Sequence, residues 1–258
     1  CRCFCGDTFC ILLCESYFLM KFPKTLFFLF LLQIHDAQLD AYLDYKSPFH
    51  PTISGNGMVV SQNLESSKIG TMILESGGNA VDAAVAVGFS LTTTLPRAGN
   101  IGGGGFMLVY IKETEELFSI DYRSRSSLNS NLEDLFGSKS PAQIQDDDYD
   151  LTKYDYKASA VPGTVYGLLE AHERFGDLPL EKVLQPVIDQ ARNGIIVSYD
   201  LHNAIGSSYQ LKEDPESRKI YFENNKPVAI GSLMKRPDLA KTFEAISKEG
   251  KDGFYDGW

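Results

Sequence analysis

The pattern of apolar and polar positions predicts four amphipathic helices and one helix that is buried on most sides. The amphipathic helices place apolar residues three or four positions apart; they span residues 63–76, 164–175, 180–193 and 237–248. In the first, Ile69, Met72 and Ile73 share one face. Pro186 lies inside the third, where it has no N–H for the helical ladder, so it should kink or divide that helix.

The buried helix begins after Asn79. This residue is a favourable N-cap, and Asp82 three residues later completes a capping box. The run that follows, residues 83–89, consists of alanine, valine, glycine and phenylalanine. Because apolar side chains surround the whole axis, we expect this helix to lie in the core.

Two strand-like runs predict a β-hairpin. They cover residues 106–111 and 117–122 and are joined by a polar turn. Residues 58–61 are a further short strand candidate, and residues 124–157 are polar and should be mostly loop or weak helix. Helices and hairpin strands occur in blocks, which favours an α+β fold with sheet layers flanked by helices over a strictly alternating parallel fold.

The start of the chain has the pattern of an export signal. Two lysines follow Met20, an unbroken apolar run covers residues 26–32, and Ala37 is a plausible cleavage position. We therefore expect residues 20–37 to direct the protein to a secreted or periplasmic location. The apolar run is too short to span a bilayer, so a retained membrane anchor is the less favoured alternative. Residues 1–19, which precede the first methionine, are interpreted as a possible upstream, non-native segment.

Charge and composition argue against several kinds of partner. The formal net charge of −10 repels phosphate backbones, so no nucleic-acid partner is expected. All five cysteines lie in the first fourteen residues, with a spacing tighter than that of zinc sites. The acidic run at residues 146–148 is interpreted as a solvated loop rather than a cation site. No metal is therefore expected.

The glycine cluster at residues 102–105 does not fit a phosphate-binding loop. Gly105 stands where a Walker loop needs lysine. A dinucleotide fingerprint would be followed by a helix, whereas a predicted strand follows here. We expect their role to be backbone freedom, since these glycines can take positive φ and let other segments approach closely.

Arg123, just past the second predicted strand, is the sharpest candidate for ligand binding. A guanidinium is a planar fork that can hold a carboxylate through two parallel hydrogen bonds. The alternative is a surface arginine paired with Asp121 or with an acidic loop residue. Taken alone, the residues show no nucleophile constellation, because no Gly-x-Ser-x-Gly or His-Glu-x-x-His pattern occurs.

A series of sequence blocks resembles the large-subunit region of γ-glutamyltransferases. The blocks are Gly-Gly-Asn-Ala-Val-Asp-Ala-Ala-Val-Ala at residues 77–86, Gly-Gly-Gly-Gly-Phe-Met at 102–107, Asp-Tyr-Arg at 121–123, Val-Pro-Gly-Thr at 161–164, Arg-Pro-Asp-Leu-Ala-Lys-Thr at 236–242 and Gly-Phe-Tyr-Asp-Gly at 253–257. They occur in the family's order and cover most of the chain. Residues 38–258 are therefore identified as part of such a large-subunit region.

The resemblance implies an N-terminal nucleophile hydrolase with stacked sheets between helical layers (αββα), of which only the large-subunit part is present. Such precursors cut themselves, and the new N-terminal threonine of the small subunit attacks the γ-glutamyl amide of glutathione or a related compound. The γ-glutamyl group then passes to water, an amino acid or a peptide, and no cofactor is implied. No Thr-Thr-His-type segment occurs in this chain, so we expect no catalytic residue in it and an inactive fragment.

The resemblance also implies one substrate contact. The arginine of the family's Asp-aromatic-Arg segment grips the α-carboxylate of the γ-glutamyl group, and it matches Arg123. The sequence departs from the family immediately afterwards, at residues 124–127, so Arg125 is a rival. Two other functions remain open. One is a β-lactam side-chain acylase on the same scaffold, and the other is an inactive protein that binds γ-glutamyl compounds.

Overall fold

The computed structural model describes residues 52–145 and 158–256. The chain divides into two units, Cys1–Ile53 and Ser54–Trp258, and every described helix and strand belongs to the second. The predicted export signal, the cysteine-rich start and the acidic run at residues 146–148 lie outside the described residues.

Helices dominate the second unit. They are α1 (Leu64–Glu75), α2 (Ala80–Thr94), α3 (Leu132–Phe136), α4 (Thr164–Phe175), α5 (Leu180–Asn193), α6 (Tyr199–Ser207), α7 (Tyr209–Glu213), α8 (Pro215–Tyr221), α9 (Pro237–Glu249) and α10 (Asp252–Tyr255). The strands are β1 (Phe106–Ile111), β2 (Glu116–Asp121), β3 (Ile195–Ile196), β4 (Phe222–Glu223), β5 (Lys226–Pro227) and β6 (Leu233–Met234). They pair antiparallel as β1–β2, β3–β6 and β4–β5, three two-stranded sheets in the described part of the chain.

Helix α2 lies at the centre of the main core, as its all-round apolar sequence predicts. The side chains of Val85, Ala86 and Phe89 are fully buried. The helix contacts α1, α4 and α5, and the ring of Phe89 meets that of Phe243 on α9 edge to face, with 5.8 Å between their centroids. The predicted capping box is confirmed, because the side chain of Asn79 accepts hydrogen bonds from the first turn and the Asp82 carboxylate accepts one from the backbone N–H of Asn79.

The β1–β2 hairpin, which confirms the predicted one, has two chemically different faces. Val109 and Ile120 on its inner face are buried in the main core. Its outer face is apolar but exposed; it is formed by Phe106, Leu108, Tyr110 and Leu117, whose exposed fractions run from 59% to 71%. We call these four residues the outer hairpin face.

Four sequence-based expectations about local structure are wrong or only partly right. Residues 58–61 form no strand in the described structure, since no other segment pairs with them. Met72 is 53% exposed, whereas Ile69 and Ile73 are buried. Helix α5 is not divided at Pro186, because the lost hydrogen bond is outweighed by the burial of the helix's apolar face. The glycines at residues 102–105 have no positive φ.

Residues 195–234 form a smaller structure that the pattern did not predict. Three short helices and two minimal sheets enclose a second apolar cluster around Val197, Leu201 and Ile205. Each element is too short to show a helical or strand period, so its structure depends on contacts between elements. These residues account for most of the helices that sequence reasoning missed.

Candidate functional site

The end of β2 continues as an extended segment that is held from both sides. Tyr122 exchanges two backbone hydrogen bonds with Gly105, at 3.0 and 3.3 Å. Three residues later, Arg125 exchanges two with Val161, at 2.7 and 3.1 Å. The segment between them therefore has little freedom to move relative to the hairpin or to the start of α4.

Three glycines allow this close approach. A side chain at Gly163 would overlap the carbonyl oxygen of Tyr122, and one at Gly167 would overlap the Tyr122 ring. A side chain at Gly104 would overlap the backbone nitrogen of Ser124. Close approach of other segments was expected for the glycine cluster, and it is confirmed, although without positive φ. The result is a tightly seated Tyr122 immediately before the candidate arginine.

Side chains alternate along this segment, as they do in a strand. Tyr122 and Ser124 are partly buried, whereas Asp121, Arg123 and Arg125 are exposed. The three exposed residues line a cavity of about 390 Å³. Its other lining residues are Tyr122, Val161, Pro162, Gly163, Tyr166 and Tyr255. The structure thus places both candidate arginines in one cavity.

The guanidinium groups of both arginines are available to a ligand. Asp121 accepts a hydrogen bond from the backbone N–H of Arg123 at 2.9 Å, not from its side chain. Among the described residues, the structure records no ion pair of either guanidinium. The alternative of an arginine neutralised by Asp121 is therefore not what the structure shows.

Two tyrosines form the opposite wall of the cavity, and sequence reasoning gave neither of them a role. The hydroxyl of Tyr255 donates to the carbonyl oxygen of Pro162 at 2.8 Å and accepts from the backbone N–H of Tyr166 at 3.1 Å. Burial raises the pKa of Tyr255 above its usual value, and burial does the same to the pKa of Tyr122. The phenols of Tyr122 and Tyr255 therefore stay neutral at physiological pH and do not repel an anionic ligand.

Interactions of Lys251 stabilise this wall. Its ammonium group lies 2.9 Å from a carboxylate oxygen of Glu170 and 3.2 Å from one of Glu173. It also lies 4.4 Å from the centroid of the Tyr166 ring, a cation–π distance. Burial disfavours the charged ammonium, but the hydrogen bonds that it donates to Glu170 and Glu173 outweigh this and raise the pKa of Lys251. Helix α10 is thereby tied to α4, beside the cavity.

Within residues 52–145 and 158–256, no group of three or more histidine, cysteine, aspartate or glutamate side chains is arranged to hold a metal ion. No helix in the same ranges is long and apolar enough to cross a membrane.

Comparison with known proteins identifies the family. The family model described as gamma-glutamyltranspeptidase matches residues 66–258. The glutathione hydrolase proenzyme of Escherichia coli K12 is 37% identical over 211 residues, and that of Pseudomonas aeruginosa is 38% identical over the same number. These alignments cover 81% and 82% of this chain but only 35% and 36% of the relatives, so the chain spans about a third of their length. An acylase proenzyme of a Pseudomonas strain is 32% identical, with coverage of 83% and 38%.

Solved structures agree with the sequence comparisons. The γ-glutamyltranspeptidase of Helicobacter pylori superposes with a TM-score of 0.71 and 31% identity, covering 80% of this chain and 58% of that one. The cephalosporin acylase of Bacillus halodurans gives 0.69 and 25%, covering 83% and 40%. The predicted α+β fold of the N-terminal nucleophile hydrolase type is confirmed. The chain belongs to the γ-glutamyltranspeptidase family.

Proposed function

We propose that the full-length protein containing this chain is a γ-glutamyltransferase and glutathione hydrolase. It cleaves γ-glutamyl amides such as glutathione and passes the γ-glutamyl group to water, an amino acid or a peptide. The observation on which this proposal rests is the guanidinium of Arg123, which has no ion pair among the described residues and lies in a cavity at the end of a strand held on both sides. Family membership and the glutathione hydrolase relatives support it.

In this proposal, Arg123 holds the α-carboxylate of the γ-glutamyl group. The guanidinium fork matches a carboxylate through two hydrogen bonds, which fixes both position and orientation. Because Tyr122 is seated against glycines on either side, the fork starts from a fixed backbone position. A substrate held in this way presents its γ-amide at a constant distance from the anchor, which favours reaction with a nucleophile supplied elsewhere.

The nucleophile and the oxyanion hole are proposed to come from the small subunit of the same precursor. The outer hairpin face supports such a partner. A two-stranded hairpin with one apolar face buried and the other exposed is typical of a sheet that other strands or helices cover. We propose that the remainder of the precursor packs on Phe106, Leu108, Tyr110 and Leu117.

Substrate turnover tests this function. The full-length protein is expected to release the chromophore from a γ-glutamyl anilide and to produce glutamate from glutathione. The 258-residue polypeptide expressed alone should do neither, and it should aggregate through the outer hairpin face, as size-exclusion chromatography would show. Turnover by that polypeptide above a heat-treated control would refute the partner proposal.

A matched substrate distinguishes the proposed function from the acylase alternative. That alternative is favoured by the 32% identical acylase and by the cephalosporin acylase structure. A glutaryl anilide retains the carboxylate of the γ-glutamyl group but lacks its α-amine. A γ-glutamyltransferase should prefer the γ-glutamyl anilide, and an acylase of glutaryl side chains should prefer the glutaryl compound. If the full-length protein turned over neither compound but bound γ-glutamyl peptides, the binding-protein alternative would be correct.

We also propose that residues 20–37 export the protein to a secreted or periplasmic location. Their sequence pattern of two lysines, an apolar run and a small residue supports this. Fused to a reporter that is active only outside the cytoplasm, the segment should give activity. Deletion of residues 26–32 should abolish that activity, and a reporter that stays inactive with the intact segment would refute export.

A further inference from the structure

The cavity beside Arg123 contains a second cationic group that an α-carboxylate does not require. Arg125 lies two residues further along the same extended segment, so its side chain leaves the backbone on the same side, about 6–7 Å away. Both of its backbone polar groups pair with Val161, which fixes its Cα at the cavity rim. Its guanidinium, like that of Arg123, has no ion pair within the described residues.

The balance of charge in the cavity is the reverse of that in the chain. The protein has a formal net charge of −10. The described residues that line the cavity nevertheless include two arginines and one acidic residue, Asp121. One oxygen of Asp121 already accepts the Arg123 backbone N–H. Two like charges that share a cavity repel each other unless an anion lies between or beside them, so the lining favours a ligand with more than one negative group.

The other described residues that line the cavity are uncharged. The phenols of Tyr122 and Tyr255 remain uncharged because burial raises the pKa of each. Lys251 pairs with Glu170 and Glu173, and none of these three charged residues is part of the lining. Among the described lining residues, only Asp121 would therefore compete with a second carboxylate for Arg125.

We infer that Arg125 binds the second carboxylate of γ-glutamyl donors that contain two, such as a γ-glutamyl peptide with a free C-terminus. Arg123 holds the α-carboxylate and Arg125 the carboxylate on the other side of the scissile amide, so Arg125 determines substrate specificity. This inference rests on the proposed function. Arg125 therefore has a role of its own and does not compete with Arg123 for the α-carboxylate.

Two donors that differ in one group test the assignment. γ-Glutamylglycine has the second carboxylate, and γ-glutamylglycinamide replaces it with a neutral amide of nearly the same shape. The full-length protein should hydrolyse the first with a kcat/KM about 3- to 10-fold higher, which is the range for a charge-assisted contact that is partly exposed. Glutamate released from either donor is measured by chromatography.

Substitutions then test which arginine causes the preference for γ-glutamylglycine. Arg125→Ala should remove it by lowering kcat/KM for γ-glutamylglycine alone, and Arg125→Lys should restore part of it, since the charge remains but the fork is lost. Arg123→Ala should lower kcat/KM for both donors. Arg97→Ala is the matched control, because Arg97 is an exposed arginine that pairs with Asp200 and is absent from the lining of this cavity; it should keep the wild-type preference.

The outcomes separate this inference from the proposed function. Equal loss for both donors in Arg125→Ala, with an unchanged melting temperature, would overturn the inference and leave the function intact. So would a wild-type protein that treats the two donors alike. A wild-type protein that hydrolyses neither donor would overturn the proposed function and the inference together.

Discussion

Replacing Arg123 with alanine is expected to lower kcat/KM of the full-length enzyme for a γ-glutamyl anilide about 10- to 100-fold. The anilide has a single carboxylate, so this substrate reports on the α-carboxylate site alone. Loss of one charge-assisted hydrogen-bonding contact typically costs about 1.5–3 kcal/mol, and about 1.4 kcal/mol corresponds to a factor of ten. Arg123→Lys keeps the charge but loses the bidentate geometry, and it should still be impaired.

A substrate without the α-carboxylate isolates the contribution of the contact between Arg123 and that carboxylate. A 4-aminobutyryl anilide is the γ-glutamyl anilide with that group removed. Wild type should strongly prefer the γ-glutamyl compound, whereas Arg123→Ala should turn over both at similar low rates. Self-cleavage of the precursor should persist in the variant, because it does not use the substrate's carboxylate. Unprocessed precursor would instead point to a folding defect, and processing is readily followed by gel electrophoresis.

Arg125→Ala provides the matched control for this experiment. It should retain the preference for the γ-glutamyl anilide, since that substrate offers no second carboxylate. If Arg125→Ala lost the preference while Arg123→Ala kept it, the α-carboxylate would belong to Arg125, and the match of the Asp-Tyr-Arg block to the family would be displaced by two residues.

Local signals in the sequence predict much of the framework that holds Arg123. The capping box at Asn79 and the strand pattern of residues 106–111 involve neighbours within a few positions, so they can be recognised without knowing the fold. The position of Arg123 at the end of the hairpin follows directly from them. Met72 shows the limit of this reasoning, because a helical period identifies a face but not how far the neighbouring elements cover it.

The opposite wall of the cavity could not be predicted in the same way. Tyr255 contacts Pro162 and Tyr166 across a sequence separation of about ninety residues, and no periodicity encodes that contact. Gly163 and Gly167 look like ordinary residues at the start of a helix, and their role appears only once Tyr122 lies against them. The family blocks at residues 161–164 and 253–257 do mark these places, but the chemistry of each contact comes from the packing.

The second large effect is expected at Asp82, far from any proposed chemistry. Its side chain is fully buried, and its oxygens accept backbone N–H groups from Asn79, Asp177 and Leu178 at 3.0–3.2 Å. It thus joins the start of the central helix α2 to the turn that follows α4. Sequence reasoning predicted the first of these contacts as part of the capping box, but the two at the turn lie about 95 residues away.

Asp82→Ala should therefore destabilise the full-length protein by about 3–5 kcal/mol, because it leaves several buried donors without an acceptor. In a full-length protein of more than 250 residues each kcal/mol lowers the melting temperature by about 2 °C or less, so the fall should be at most about 10 °C. Asp177→Ala is the matched control. Asp177 is exposed, and its contribution to the turn is its backbone N–H, which the substitution leaves in place. This variant should stay within about 0.5 kcal/mol of wild type. Calorimetry or thermal circular dichroism measures both, and equal melting temperatures for the two variants would show that the carboxylate of Asp82 does not hold α2 and the turn together.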